Sequence, residues 1–251
     1  MLAVIRLLLL AIVLIVLSVF TSLYCLVRPF RRNNVYYASR LMGKVSWLLG
    51  LEVEIRIPDS VKNKGPFVFI CNHQNSYDIF TISGAVQPAT VSVGKKSLQW
   101  IPFFGQMYWL TGNILIDRKN SNKAMNTIAL TAKKIKERKL SVWLFPEGTR
   151  SNGRGLLPFK TGAFRTALQA KVPIVPVCAS NLHEKIKLNR WDNGKMIIEF
   201  LDPIYLTDEN NDNMRVLANN THDLMAAKIE QLNQELGEVA PTTHIRVEKN
   251  G

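Results

Sequence analysis

Hydrophobic positions are arranged along this chain in three ways. The first is a continuous block: from Leu7 to Val27 no residue carries a formal charge. As an α-helix that stretch would extend about 31 Å, enough to cross the hydrocarbon of a bilayer. A cleaved signal peptide would have a shorter apolar core and small residues at the cut site. Ser22-Leu23-Tyr24-Cys25 offers no A-x-A, and Tyr24 is too large for lipoprotein-type cleavage before Cys25, so the block reads as a retained anchor. The second arrangement is a stripe. Tyr36, Tyr37, Leu41, Met42, Val45, Leu48 and Leu49, with Arg40 and Lys44 between them, have the spacing of an amphipathic helix over 34–50 lying at a membrane interface. The two helices could span and then lie flat, or form a hairpin dipped into one leaflet.

The third arrangement is a series of short apolar runs separated by turns and helical stretches. Strands are predicted at 52–57, 67–71, 89–93, 113–116, 141–145, 173–177 and 195–201. Helices are predicted from Ile79 to about Val86, over 121–138 with Ser121 as its N-cap, over 161–170 and over 213–236. Strands alternating with helices imply an α/β fold, a central largely parallel or mixed sheet flanked by helices. It is preceded by an N-terminal membrane-embedded helix pair, which divides the chain into an anchor, residues 1–50, and a single catalytic domain, residues 51–251. Pro173 and Pro176 in the sixth strand would limit pairing at a sheet edge.

Charge adds a partner class. Residues 1–201 carry 28 Lys/Arg against 10 Asp/Glu, and residues 202–251 carry 4 against 9. A body this basic suits an anionic partner such as a phosphate-bearing substrate or lipid headgroups, although a merely solvated basic face is the plain alternative. Arg28, Arg31, Arg32, Arg40 and Lys44 follow the apolar block and only Arg6 precedes it, which puts the body in the cytoplasm by the positive-inside rule. Cys25, Cys71 and Cys178 form no CxxC pair, arguing against a disulfide framework or a zinc site. There is no nucleic-acid recognition motif, no G-x-S-x-G and no phosphate loop of the Walker type.

Candidate chemistry collects at strand ends. After the run Phe67–Cys71 comes Asn72-His73-Gln74-Asn75-Ser76-Tyr77-Asp78. Histidine titrates near neutrality and can take a proton from an alcohol, while an aspartate on its other ring nitrogen would fix the tautomer. A spacing of five does not suit one helix face, so a loop must fold the pair together. After Val142-Trp143-Leu144 comes Phe145-Pro146-Glu147-Gly148-Thr149-Arg150-Ser151, where Arg150 offers a fork for phosphate oxygens and Glu147 can orient it or a hydroxyl. Gly153, Gly155, Arg154 and Lys160 prolong that loop as a cationic segment. Asp117 and Arg118 end another strand, and Lys95 and Lys96 end a fourth. If those ends share one edge of the sheet, a base and several cations surround one cleft. The aromatic stretch Trp100–Trp109, with Phe103 and Phe104, would line an acyl chain, lie at a lipid interface or simply pack in the core. Cys71 reads as a core cysteine rather than a nucleophile.

In this order the chain holds N-H-x4-D (Asn72–Asp78), G-x-I-x-I-D-R (Gly112–Arg118), F-P-E-G-T-R-S (Phe145–Ser151) and V-P-I-V-P-V (Val172–Val177). The set resembles the four blocks of the glycerolipid acyltransferases, and the likeness extends over Gly94–Leu98, Trp100–Gly105 and the N-terminal helices. The resemblance implies that His73 is the general base and Asp78 its orienting partner. It implies that Arg118, Glu147 and Arg150 bind a glycerol phosphate, with Gly148 letting the backbone approach. Lys95 lies outside the blocks and joins this group by charge and position alone. The implied reaction moves a fatty acyl group from a thioester of acyl carrier protein or coenzyme A to the sn-2 hydroxyl of 1-acyl-sn-glycerol 3-phosphate (lysophosphatidic acid), giving phosphatidic acid, without cofactor or metal. Glycerol 3-phosphate or another lysophospholipid as acceptor is the near alternative, and a non-catalytic lipid-binding protein the remote one. The implied setting is the inner membrane of a bacterium, with the catalytic domain on the cytoplasmic side and membrane lipid, not nucleic acid, as partner.

Overall fold

The computed structural model describes residues 1–116, 121–207 and 213–237, the side chains of 121–127 excepted. Its strands are β1 (Glu52–Arg56), β2 (Val68–Cys71), β3 (Thr90–Lys95), β4 (Ile114–Ile116), β5 (Ser141–Leu144), β6 (Ile174–Ala179) and β7 (Lys195–Phe200). They form one mixed sheet in the order β1-β7-β6-β2-β5-β3-β4. β6, β2, β5, β3 and β4 run parallel, while β7 opposes β6 and carries β1 parallel to itself. Every residue of β2 and β6 is buried, as expected for strands covered on both faces.

The connections fix where a site can form. From β2 to β3 and from β3 to β4 the chain steps one way along the sheet; from β4 to β5 and from β5 to β6 it steps back. Right-handed crossovers send these two sets to opposite faces. One face holds two short 3₁₀ helices (Ser76–Ile79 and Ile82–Ala85) and α3 (Phe104–Leu110). The other holds α4 (Ser121–Arg138) packed on α5 (Gly162–Ala170), with α6 (Met214–Glu235) against α5 and β6. Neighbouring β2 and β5 therefore release the chain toward opposite faces, and the crevice at their carboxyl ends is the switch point where open α/β sheets bind ligands.

Three expectations change. The helix expected through Val86 is a pair of 3₁₀ turns. Gly84 there is pressed against Gly43 so closely that a Cβ on Gly43 would stand 2.4 Å from Gly84 Cα. The stripe over 34–50 is α2 (Asn34–Gly43) followed by a 3₁₀ helix, Lys44–Leu49; its Met42, Val45 and Leu49 join the sheet's own core, while Tyr37 stays exposed. Pro173 and Pro176 flank or occupy β6, an interior strand. Pro176 is tolerated because the ladder to β7 begins only at Val177, and its carbonyl accepts the Leu201 N–H.

The apolar block is α1 (Leu2–Val27), long and apolar enough by composition to cross a membrane. It is tied to the body along its length. Arg6, itself buried, donates to the carbonyls of Leu188, Arg190 and Trp191. Farther along, Val19, Ser22 and Leu23 face Pro102, Phe103 and Gln106 across a groove of about 390 Å³. Just past the helix, the Phe30 N–H bonds the Leu110 carbonyl. The outward flank, including Leu8, Ile12, Val16 and Phe20, stays exposed.

Candidate active site

The loop after β2 folds by a helix-capping device. Asn75 caps the 3₁₀ helix, its side chain accepting the Tyr77 N–H at 2.8 Å. Asp78, third in that helix, reaches back to the cap in a reciprocal capping box. This return brings residues five apart into contact. His73 Nδ1 lies 2.6 Å from Asp78 Oδ2, and the same oxygen accepts the N–H groups of Gln74 at 2.8 Å and Asn75 at 3.3 Å. An Nδ1–H given to the carboxylate leaves the Nε2 lone pair available as a base. Asp78 is buried while the imidazole keeps 21 % of its surface exposed, so a substrate proton can reach it. The ring stacks on Phe145, centroids 4.1 Å apart and planes 17° apart.

The loop after β5 is joined to this one through main chain and one carboxylate. Glu147 Oε1 accepts the His73 N–H at 2.6 Å and Oε2 accepts the Leu157 N–H at 3.0 Å. Ser151 and Asn152 donate their N–H groups to the carbonyls of His73 and Gln74 at 2.8 and 2.9 Å. Burial raises the Glu147 carboxyl above its ordinary range, against the lowering effect of the two amide hydrogen bonds. The sequence offers Glu147 as a phosphate-site residue, or as a group that orients Arg150 or a substrate hydroxyl. In this structure its two oxygens accept backbone amides, one from each side of the site. What it does is clamp the two loops. Arg150 is exposed beside them, with Nη1 donating to Ser76 Oγ at 3.1 Å.

The other strand ends lie on the same edge. Lys95, exposed, closes β3 and is the register partner of Ile116 at the end of β4. At a strand spacing of about 4.8 Å, β3 lies roughly 10 Å from β2. Arg118 lies outside the described residues. Gly148 has φ of 72°, a backbone conformation glycine adopts without strain. Of the aromatic group, Phe104 packs on the core, whereas Trp100, Phe103 and Trp109 are exposed; Phe103 faces α1 across the groove and Trp109 meets the Phe30 ring edge-on just past that helix. Cys71 is fully buried, and burial holds its thiol well above the usual range, which leaves no nucleophile there.

Sequence reasoning passed over three supports. Asn72 pairs its amide with both backbone groups of Ala179, at 2.9 Å each way. Gln74 donates to the Ser180 carbonyl at 2.7 Å and accepts the Leu182 N–H at 2.6 Å. Phe145 supplies the stacking face. The two amides bridge the loop to the end of β6, so the base is braced from both neighbouring strands. Their polarity beside a buried strand was the available signal.

Comparison with known proteins places the chain in a family. The Acyltransferase family model matches residues 52–180. A 1-acyl-sn-glycerol-3-phosphate acyltransferase of Haemophilus influenzae is 52% identical over 236 residues, covering 94% of this chain and 98% of that protein. One of Escherichia coli is 50% identical over 238 residues, covering 95% and 97%. The crystal structure of a 1-acyl-sn-glycerophosphate acyltransferase of Thermotoga maritima shares the fold, with a TM-score of 0.71 at 20% identity over 92% of this chain and 95% of that one.

Proposed function

Because the chain belongs to the acyltransferase family, we propose that it acylates the sn-2 hydroxyl of 1-acyl-sn-glycerol 3-phosphate, drawing the acyl group from a thioester and producing phosphatidic acid. The observation that carries the reading is the His73–Asp78 pair at the β2/β5 switch point, with a partly exposed imidazole and exposed Arg150 on the facing loop. Nε2 removes the hydroxyl proton as the oxygen attacks the thioester carbonyl. The tetrahedral intermediate collapses, the C–S bond breaks, and the thiolate leaves and takes up a proton. A base of this kind contributes roughly 10²–10⁴-fold, and holding two amphiphiles in register supplies much of the rest. Arg150 and Lys95 hold the phosphate, with Arg118 as a third cation and Gly148 allowing close approach, while Glu147 keeps the base in place.

The acyl donor is a thioester of acyl carrier protein or coenzyme A. The protein works at the cytoplasmic face of a bacterial inner membrane. Residues 1–50 supply the anchor and residues 51–251 the catalytic domain, although the two share a core. Contacts from Arg6 to Phe30 support α1 lying against the catalytic domain and entering one leaflet by its outward flank, with Trp100, Phe103 and Trp109 at the lipid interface.

The test is thiol release by purified protein from acyl coenzyme A and from acyl carrier protein, with lysophosphatidic acid, glycerol 3-phosphate and other lysophospholipids as acceptors. The reading predicts release with lysophosphatidic acid and formation of phosphatidic acid. No release with any acceptor overturns it.

A further inference from the structure

We infer that Lys160, ten residues beyond Arg150 and outside the four motif blocks, is a cation of the acceptor's phosphate site, with Gly148 as the seat that positions it. This rests on the proposed lysophosphatidate acylation. The Lys160 residue is exposed, yet its side chain is folded back on the loop. It lies back over Gly148, so closely that a Cβ built there would meet Nζ at 2.9 Å, Cε at 3.1 Å and Cδ at 3.2 Å. The Lys160 main chain is fixed to the same loop, its N–H donating to the Pro146 carbonyl at 2.9 Å. The ammonium therefore stands over the segment that joins Glu147 to Arg150, at the switch-point edge.

Its charge has no local use. Both Glu147 oxygens accept backbone amides, and among the described residues no carboxylate forms an ion pair with Lys160. A lysine that lies over a glycine, itself two residues from an arginine in the chain, and that has no counter-ion among the described residues, is placed for an anion that arrives from solution. The acceptor's phosphate is the anion this edge receives. Gly148 then has two duties: its positive φ turns the loop, and its missing side chain leaves the space the lysine occupies.

Lys160→Met keeps the stem and removes the charge at an exposed position, so melting should match wild type. One charge-assisted contact corresponds to a rise of roughly 10- to 100-fold in KM for lysophosphatidic acid. The KM for the acyl donor and the rate with 1-acylglycerol, which lacks the phosphate, should hold. Lys160→Arg should restore the KM to within a few-fold, and raising the salt should narrow the gap between wild type and Lys160→Met. An unchanged KM for lysophosphatidic acid, a rise in donor KM instead, or an equal loss with 1-acylglycerol would overturn the assignment. Failure of the wild-type protein to use lysophosphatidic acid would instead overturn the functional reading beneath it.

Discussion

The backbone N–H of His73 donates to Glu147 Oε1 at 2.6 Å. The base is thus held in place by a carboxylate belonging to the opposite loop, and that carboxylate is buried. Burial raises its pKa above the ordinary 4.5. Between that value and the raised one, the native protein keeps a proton that the unfolded chain has lost. Stability contributed at this site therefore falls as pH rises through the window and recovers as pH drops. Glu147→Gln removes the titration and turns one acceptor into a donor facing an amide. We expect the variant to fold with reduced turnover. Its denaturation midpoint, subtracted from the wild-type value at each pH, should reveal a wild-type advantage that grows on acidification. A difference that stays flat from pH 7 to 4 would count against a raised carboxyl at this position.

His73→Ala should lower kcat by about two to four orders of magnitude with little change in KM for either substrate. Asp78→Asn tests the orienting partner separately. Three donors converge on Oδ2, namely the Nδ1–H of His73 and the amides of Gln74 and Asn75. They select the carboxamide oxygen for that place, so the loop should keep its shape while the imidazolium loses its counter-charge. Steady-state thiol release should then show a kcat defect with melting close to wild type. Near-normal turnover of His73→Ala would remove the general-base mechanism.

Phe145→Leu addresses the stacking face under the base. The 4.1 Å stack limits how far the imidazole can tilt, and aromatic pairs contribute about 0.5–1.5 kcal/mol beyond their area. Leucine fills the space without the flat face. We expect kcat to fall about 3- to 10-fold, with the histidine ring resonances broadened in NMR spectra. Unchanged kcat would mean that Asp78 alone sets the ring.

The strand ends were legible in the sequence because parallel buried strands read as continuous apolar runs, and the loops following them carried His73 and Arg150. The capping box was not, since Asn75 and Asp78 look like ordinary loop residues until the chain turns at Ser76–Ile79. The core contacts of the stripe over 34–50 were not legible for a physical reason: a helix facing lipid and a helix facing a protein core show the same periodicity. The contacts of Glu147 were not legible either: an acid three residues before an arginine suggests a pair, whereas the two side chains here meet different neighbours, the His73 N–H and the Ser76 hydroxyl. Lys160 lies ten residues from Arg150, and only the fold brings it back over Gly148.

Arg6 holds the apolar helix to the catalytic body, and its removal should separate anchoring from chemistry. Its guanidinium is buried and meets three carbonyls, those of Leu188, Arg190 and Trp191, while stacking over the Trp191 ring at 5.6 Å. Gly50 completes the joint, since a Cβ there would lie 2.0 Å from the Trp191 oxygen and 3.1 Å from Arg6 Nη2. Arg6→Met keeps much of the apolar stem but leaves the carbonyls without their donor, at roughly 1–3 kcal/mol for each that stays dry. Amide exchange across 188–194 should quicken, and the melting temperature should fall by several degrees. Turnover of a dispersed short-chain lysophosphatidate should be nearly retained, because the His73 site is untouched. Turnover of the same headgroup presented in vesicles should drop further, because α1 no longer sets the depth and tilt of the domain at the lipid surface. Equal losses with both presentations would show that the helix acts through stability alone, and unchanged exchange would show that the joint is not what holds α1 in place.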